Sequence, residues 1–187
     1  MRRAAATVVL ALVLVGCTGG DPGPGRSPSI ESPQPTGPTP AGPDPTRVEI
    51  YTAAFRSLAE TERWFDPVLL DDRICPGIGD VGPPLEPGRC EERFTDAEQT
   101  AILAGLSDLP AVRFVDDAER IEDRIFRGDF RRAGLLTVGV IDGDDERVTV
   151  GGRSYCGGLC AHWMTLVLRN APQGWEVTGT TGPIAIA

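Results

Sequence analysis

Leu135-Leu136-Thr137-Val138-Gly139-Val140-Ile141, then Asp142-Gly143-Asp144-Asp145-Glu146, then Arg147-Val148-Thr149-Val150-Gly151-Gly152-Arg153-Ser154-Tyr155 read as strand, turn and strand. The runs are rich in β-branched residues, and the acidic Gly-containing stretch between them is turn chemistry. Two more β-type runs follow, His162 to Arg169 and Trp175 to Ile186, joined through Asn170-Ala171-Pro172-Gln173-Gly174. Cys156-Gly157-Gly158 marks the middle turn. Along His162–Arg169, Met164, Leu166 and Leu168 fall on one face of a period-two pattern. The reading is an antiparallel β-meander.

Upstream, the period changes to that of helices. Val48, Tyr51, Phe55 and Leu58 recur three and four apart, which predicts a helix over about Arg47–Glu60, opened by a Thr46/Glu49 capping box. Trp64 and Phe65 follow, and Val68–Ile74 reads as a strand running into Cys75. A second capping box at Thr95/Glu98 opens a helix carrying Ile102, Leu103 and Leu106, which Pro110 stops. Val112–Val115 is a short strand. Asp116–Arg127 is a charged helix with a narrow stripe of Ala118, Ile121 and Ile125, supported by the i,i+4 pairs Asp116/Arg120 and Asp123/Arg127. The expected fold is therefore α+β, with two or three helices packed on one side of the meander.

Residues 18 to 46 are of another kind: nine of the 29 are Pro and six are Gly. Proline removes backbone donors, and almost nothing apolar is present to offset ordering entropy. This predicts a disordered, extended tether ahead of one globular domain over 47–187. Before the tether stand Met1-Arg2-Arg3 and an apolar run from Ala4 to Val15, broken only by Thr7. A charged start and an apolar run of about twelve residues are the layout of a secretory signal, too short to span a bilayer. The run ends in Leu14-Val15-Gly16-Cys17, which resembles the lipobox of bacterial lipoproteins. That resemblance implies removal of residues 1–16, a diacylglycerol thioether on Cys17, and acylation that anchors the chain in the cell membrane facing out of the cytoplasm.

Four cysteines remain. An even number in an exported domain implies two disulfides, and proximity favours Cys75–Cys90 and Cys156–Cys160 over the other two pairings. A redox-active pair at Cys156 and Cys160 is the functional alternative, but three residues separate them where thioredoxin-like motifs have two. Neither pair has the C-x₂-C spacing of zinc ribbons.

Arg47–Ala187 carries 15 Arg against 24 Asp and Glu, and the whole chain has a net charge of −9 with no Lys. Such a balance offers no basic surface for nucleic acid. The expected partners are the membrane, through Cys17, and an envelope protein or glycan.

The pattern Cys156-Gly157-Gly158-Leu159-Cys160, then Gly174-Trp175-Glu176-Val177, then Thr178-Gly179-Thr180-Thr181-Gly182-Pro183 resembles the C-terminal half of a family of uncharacterised exported proteins and lipoproteins of actinobacteria. Tyr51-x-x-x-Phe55-x-x-Leu58 and Leu109-Pro110-x-Val112-Arg113-Phe114-Val115 fit it as well. The resemblance implies export and brings no activity or catalytic residue. In outline, a helical start and a sheet ending in a G-W-x-V strand are also similar to the cone-shaped nuclear-transport-factor-like fold, which implies little about function.

Few residues point to chemistry. His162 is the only histidine, and neither Ser154 nor Ser107 sits in a G-x-S-x-G elbow. Asp66, Asp71 and Asp72 lie near Trp64 and Phe65, as in a sugar site, yet adjacent strand residues such as Asp71 and Asp72 face opposite ways. Asp142–Glu146 lacks the twelve-residue calcium loop and reads as a hairpin turn. No phosphate loop or dinucleotide fingerprint occurs, so no cofactor is expected. Trp64, Trp163 and Trp175 read as packing anchors. The expectation is a non-catalytic binding or accessory domain, with an exported hydrolase built on scattered carboxylates and His162 or Arg73 as the alternative.

Overall fold

The chain is described by a computed structural model covering residues 42–79, 90 and 92–186. The expected signal sequence, Cys17 and nearly all of the expected tether lie outside the described residues. What is described belongs to one unit of three helices and a seven-stranded, mostly antiparallel sheet, the expected α+β class.

The first helix, α1 (Pro45–Thr61), starts two residues earlier than its apolar spacing implies. Its N-cap is Asp44, whose carboxylate accepts from the Thr46 N–H at 3.0 Å, and Pro45 takes the first helical position, where a missing N–H costs nothing. The expected Thr46/Glu49 box is thus replaced by an aspartate cap two residues upstream. Ile50, Tyr51, Ala54, Phe55, Leu58 and Ala59 form its buried stripe.

Next come β1 (Val68–Ile74), β2 (Glu92–Arg93), α2 (Asp96–Gly105), β3 (Val112–Val115) and α3 (Ala118–Phe126). Then β4 (Gly134–Gly143), β5 (Arg147–Gly157), β6 (Cys160–Ala171) and β7 (Gly174–Ile186) run as consecutive antiparallel neighbours, the predicted meander. The sheet order is β2-β1-β4-β5-β6-β7. Two pairings depart from the meander. β1 lies parallel to β4, and β3 lies parallel to the first half of β1, on the edge whose other half pairs with β2. Parallel partners need a long crossover, and here the segment holding α2 and α3 supplies it.

The helix at α2 has its predicted capping box: Thr95 Oγ1 accepts from the Glu98 N–H, and the Glu98 carboxylate accepts from the Thr95 N–H at 2.8 Å. Burial alone would raise the pKa of Glu98, but the Thr95 donors and Arg47, at 2.8 Å, outweigh it and hold the carboxyl below its ordinary value.

α1 and α2 pack on one face of the sheet. The core there joins the α1 stripe to Val68, Leu70, Leu136, Val138, Val150, Leu166 and Leu168. α3 does not share that face. Ala118 and Ile125 pack with Leu69, Ala133 and Leu135, whose side chains alternate with Leu70 and Leu136 and so point the other way. The expectation of all helices on one side is corrected: β1, buried at every residue but the half-buried Arg73, is buried on both faces and needs cover on both.

The turn after β1 also crosses this second face. A Cβ on Gly151 would meet the Ile78 carbonyl oxygen at 1.6 Å, and one on Gly139 would meet the Cys75 carbonyl at 3.3 Å. On the first face a Cβ on Gly152 would meet Leu58 at 2.9 Å. Both sequence-proximal disulfides are formed, Cys75–Cys90 beyond β1 and Cys156–Cys160 across the β5–β6 turn. The first closes a 15-residue separation, worth about 3 kcal/mol in the loop-entropy account.

Gly151→Ala forces its methyl into backbone that has nowhere to retreat. It should lower stability by about 2–3 kcal/mol in denaturant melts, while Gly42→Ala, with nothing within 4 Å, should be silent. A second expectation concerns the two tyrosines. Burial pushes the Tyr51 phenol up to about 12 and raises that of Tyr155 as well. A raised folded value means that the neutral phenol's contribution is complete below the ordinary value near 10 and disappears as pH rises through about 12. Ultraviolet titration should therefore show no Tyr51 ionisation at pH 10 in the native chain, and ionisation together with loss of structure above it.

Candidate functional site

The chain's only histidine sits at the rim of the sheet, where α1 ends. Glu62 is the C-cap of α1, and its N–H bonds back to the Leu58 carbonyl at 3.3 Å. That bond turns the side chain inward over β5 and β6. Ser154 on β5 and His162 on β6 are directly opposed in the antiparallel register, so their side chains share the α1 face.

All three meet. Glu62, 4% exposed, accepts from His162 Nδ1 and, on the same Oε1, from Ser154 Oγ at 3.1 Å. Its second oxygen accepts from Trp64 Nε1 at 3.1 Å. Three donors offset the cost of taking a carboxylate out of water. The Nδ1 bond also fixes the ring's orientation and leaves Nε2 without a described partner, on a side chain 29% exposed. A carboxylate holding an imidazole in this way is the orienting half of a general-base pair.

The other half is missing from the geometry. Ser154 is 1% exposed and gives its proton to Glu62, not to His162, so it does not stand as a nucleophile beside a base. The sequence isolates His162 but gives no sign of Glu62, which lies 100 residues away.

The other acidic candidates are held in ion pairs. Asp71, almost fully buried, faces the α3 side and is gripped by Arg73 Nε at 3.0 Å, with Thr137 Oγ1 at 3.5 Å. Burial raises its pKa despite Arg73, whose own is raised by the bond to Asp71. Arg73 reaches on to Glu119 at 3.0 Å. Asp72 turns to Arg93 at 2.6 Å, so the two adjacent aspartates separate as the strand period requires. Asp66 is exposed at the start of β1. The three do not converge on one site.

Also on the α3 face, Arg153 is clamped by Glu122 at 2.6 and 3.2 Å, with its guanidinium carbon 5.1 Å from the Tyr155 ring centre and 5.6 Å from that of Trp163. Trp175 is buried in the main core, as expected of a packing anchor. Asp142–Glu146 is the expected hairpin: Asp144 accepts from the Glu146 and Arg147 N–H groups, both at 2.9 Å, and this lowers its pKa. Among the described residues no three His, Cys, Asp or Glu side chains are grouped to hold a metal ion. Cys156 and Cys160, the redox candidates, are bonded to each other.

Two concave surfaces stand out. One, about 410 Å³, runs between α1, α2 and the β6–β7 turn, with Glu49, Ala53, Arg56 and Gln173 on its walls and Trp175 beneath. The other, about 340 Å³, lies under the end of α1 and is lined by Glu60, Glu62, Phe65 and Leu109 among others. His162 lines neither. No family model, curated protein or solved structure matches the chain.

Removing His162 leaves a buried carboxylate one donor short, so His162→Ala should cost about 1–3 kcal/mol in denaturant unfolding. Glu62→Gln, which keeps one oxygen to accept from Ser154 but turns an NH2 group toward the Trp64 N–H, should still cost less than Glu62→Ala, which strands both donors.

Proposed function

We propose that the chain is a lipid-anchored protein of the outer face of the cell membrane, held by acylated Cys17, whose domain is a non-catalytic binding or accessory module for an envelope protein or glycan. One observation supports the binding reading above the others. The larger groove, within the 300–1,000 Å³ usual for ligand sites, lies at the opposite end of α1 from the only imidazole–carboxylate pair. It has apolar walls with Glu49 and Arg56 seven residues apart on α1, a surface suited to holding a ligand and not to moving its protons.

Two measurements test this. With Cys17→Ser the protein should move from the membrane fraction to the soluble one. Cross-linking of intact envelopes should join wild-type protein to a partner that is lost with Ala53→Trp, which fills the groove, at unchanged melting temperature. An unaltered cross-link in the filled variant refutes the groove as the binding surface.

The alternative, an exported hydrolase, draws on His162 and Glu62. It requires a pH-dependent esterase or glycosidase activity that His162→Gln removes while leaving the cross-link intact.

A further inference from the structure

Large apolar side chains stand exposed at one end of the domain. Leu159 is 91% exposed at the tip of the β5–β6 turn, which the Cys156–Cys160 disulfide closes. Ile186 and Ile184, 73% and 52% exposed, lie at the end of β7, and Ile186 is the register partner of His162. Phe126, 67% exposed, ends α3, whose Ile125 abuts Gly157 in the same turn. Trp64, 43% exposed, hangs from Glu62, which bonds His162. The register and these contacts put all five at the end of the sheet where α1 finishes, away from the Pro45 end where the tether joins.

The charge around them is unlike that of the rest of the chain. Arg63, Arg131 and Arg132 are exposed there without a carboxylate partner among the described ion pairs; Arg132 instead donates to the Trp64 carbonyl at 3.3 Å. Arg124 and Arg127 are matched by Asp129 and Asp123. Glu62 is buried, which leaves Glu60 and Asp66, among the described residues, as the exposed acids at this end not in an ion pair. Exposed acids gather instead at Asp142–Glu146, Glu49 and Glu176, toward the other end.

We infer that this end is a membrane-docking tip: Leu159, Phe126 and the β7 isoleucines enter the headgroup–acyl boundary of an anionic bilayer, Trp64 lies at the interface, and Arg63, Arg131 and Arg132 meet lipid phosphates. Protruding apolar groups ringed by Trp and Arg have the chemistry of the interfacial zone. The uneven charge turns this end toward an anionic surface and the acidic end away from it. The inference rests on the anchor at Cys17, which keeps a bilayer within reach. The 27 residues between Cys17 and Pro45 extend to at most about 90 Å, against about 25 Å for α1, so the tether is long enough for the far end to lie down.

The test uses the acylated lipoprotein in vesicles of equal parts phosphatidylglycerol and phosphatidylcholine, with tryptophan emission read against brominated lipid. Trp163 and Trp175 are buried, so docking should quench about a third of the indole emission, that of Trp64. The quenching should vanish in Trp64→Phe, fall with added salt, and be weak in pure phosphatidylcholine.

Leu159→Asp and Phe126→Asp, at sites too exposed to disturb the fold, should each lower by about tenfold the vesicle affinity of the mature chain bearing Cys17→Ser. Three results overturn the inference: a vesicle-bound lipoprotein whose emission is the same with and without bromine; quenching that survives both aspartate variants; or a protein cross-link from the tip that Leu159→Asp abolishes without any lipid quenching. Failure of the anchor is a separate outcome, read as acylated protein absent from the vesicle fraction.

Discussion

At the middle of β5 two consecutive glycines let the strand be approached from both sides at once. Leu58 of α1 rests on Gly152, and the Ile78 carbonyl rests on Gly151. Neighbouring strand residues face opposite ways, so the pair thins the sheet on both faces at one point. The helix needs this to settle its apolar stripe onto Val150, Leu166 and Leu168. The turn after β1 needs it to cross the other face of the sheet. The rest of the domain hangs on these two seats: α1 in place brings Glu62 to the strand ends, and the crossing turn frames the face that α3 covers.

The polar interior follows from the same layering. A sheet covered on both faces buries what its strands carry, including Asp71, Arg153 and Ser154. Each is met from another element, Asp71 by Thr137, Arg153 by Glu122 of α3, and Ser154 by Glu62 of α1. Breaking one side of such a pair leaves the other uncompensated in a dry place, so these residues bind helices to sheet in one arrangement. Asp71 and Asp72 are committed in the same way, to Arg73 and Arg93.

Much of this is local and was legible in the residues. The Thr95/Glu98 box, the charged α3 helix and the four strands of the meander each declare themselves within a dozen residues, through spacing and turn chemistry. The Asp44 cap was missed because Thr46 and Glu49 make an equally good box on paper; Pro45, with φ already set for a first turn, decides between them. The α3 stripe of Ala118, Ile121 and Ile125 shows that one face is buried, but not against which side of the sheet. That depends on the parallel pairing of β1 with β4, which no nearby residue encodes. The Glu62–His162 contact is lost for the same reason: a helix cap and a strand start 100 residues apart have no common period.

The pairing of β1 with β4 also bears on how the chain matures. β4 begins 60 residues after Ile74 ends β1, and everything that completes the main core, from Leu136 to Trp175, lies beyond that point. The first half, however helical, cannot close its apolar face alone. A polypeptide emerging N-terminus first thus stays loose until most of it has appeared. The hairpin-linked strands β4 to β7 can pair locally as they appear, while the distant β1–β4 pairing has to wait for both of its strands.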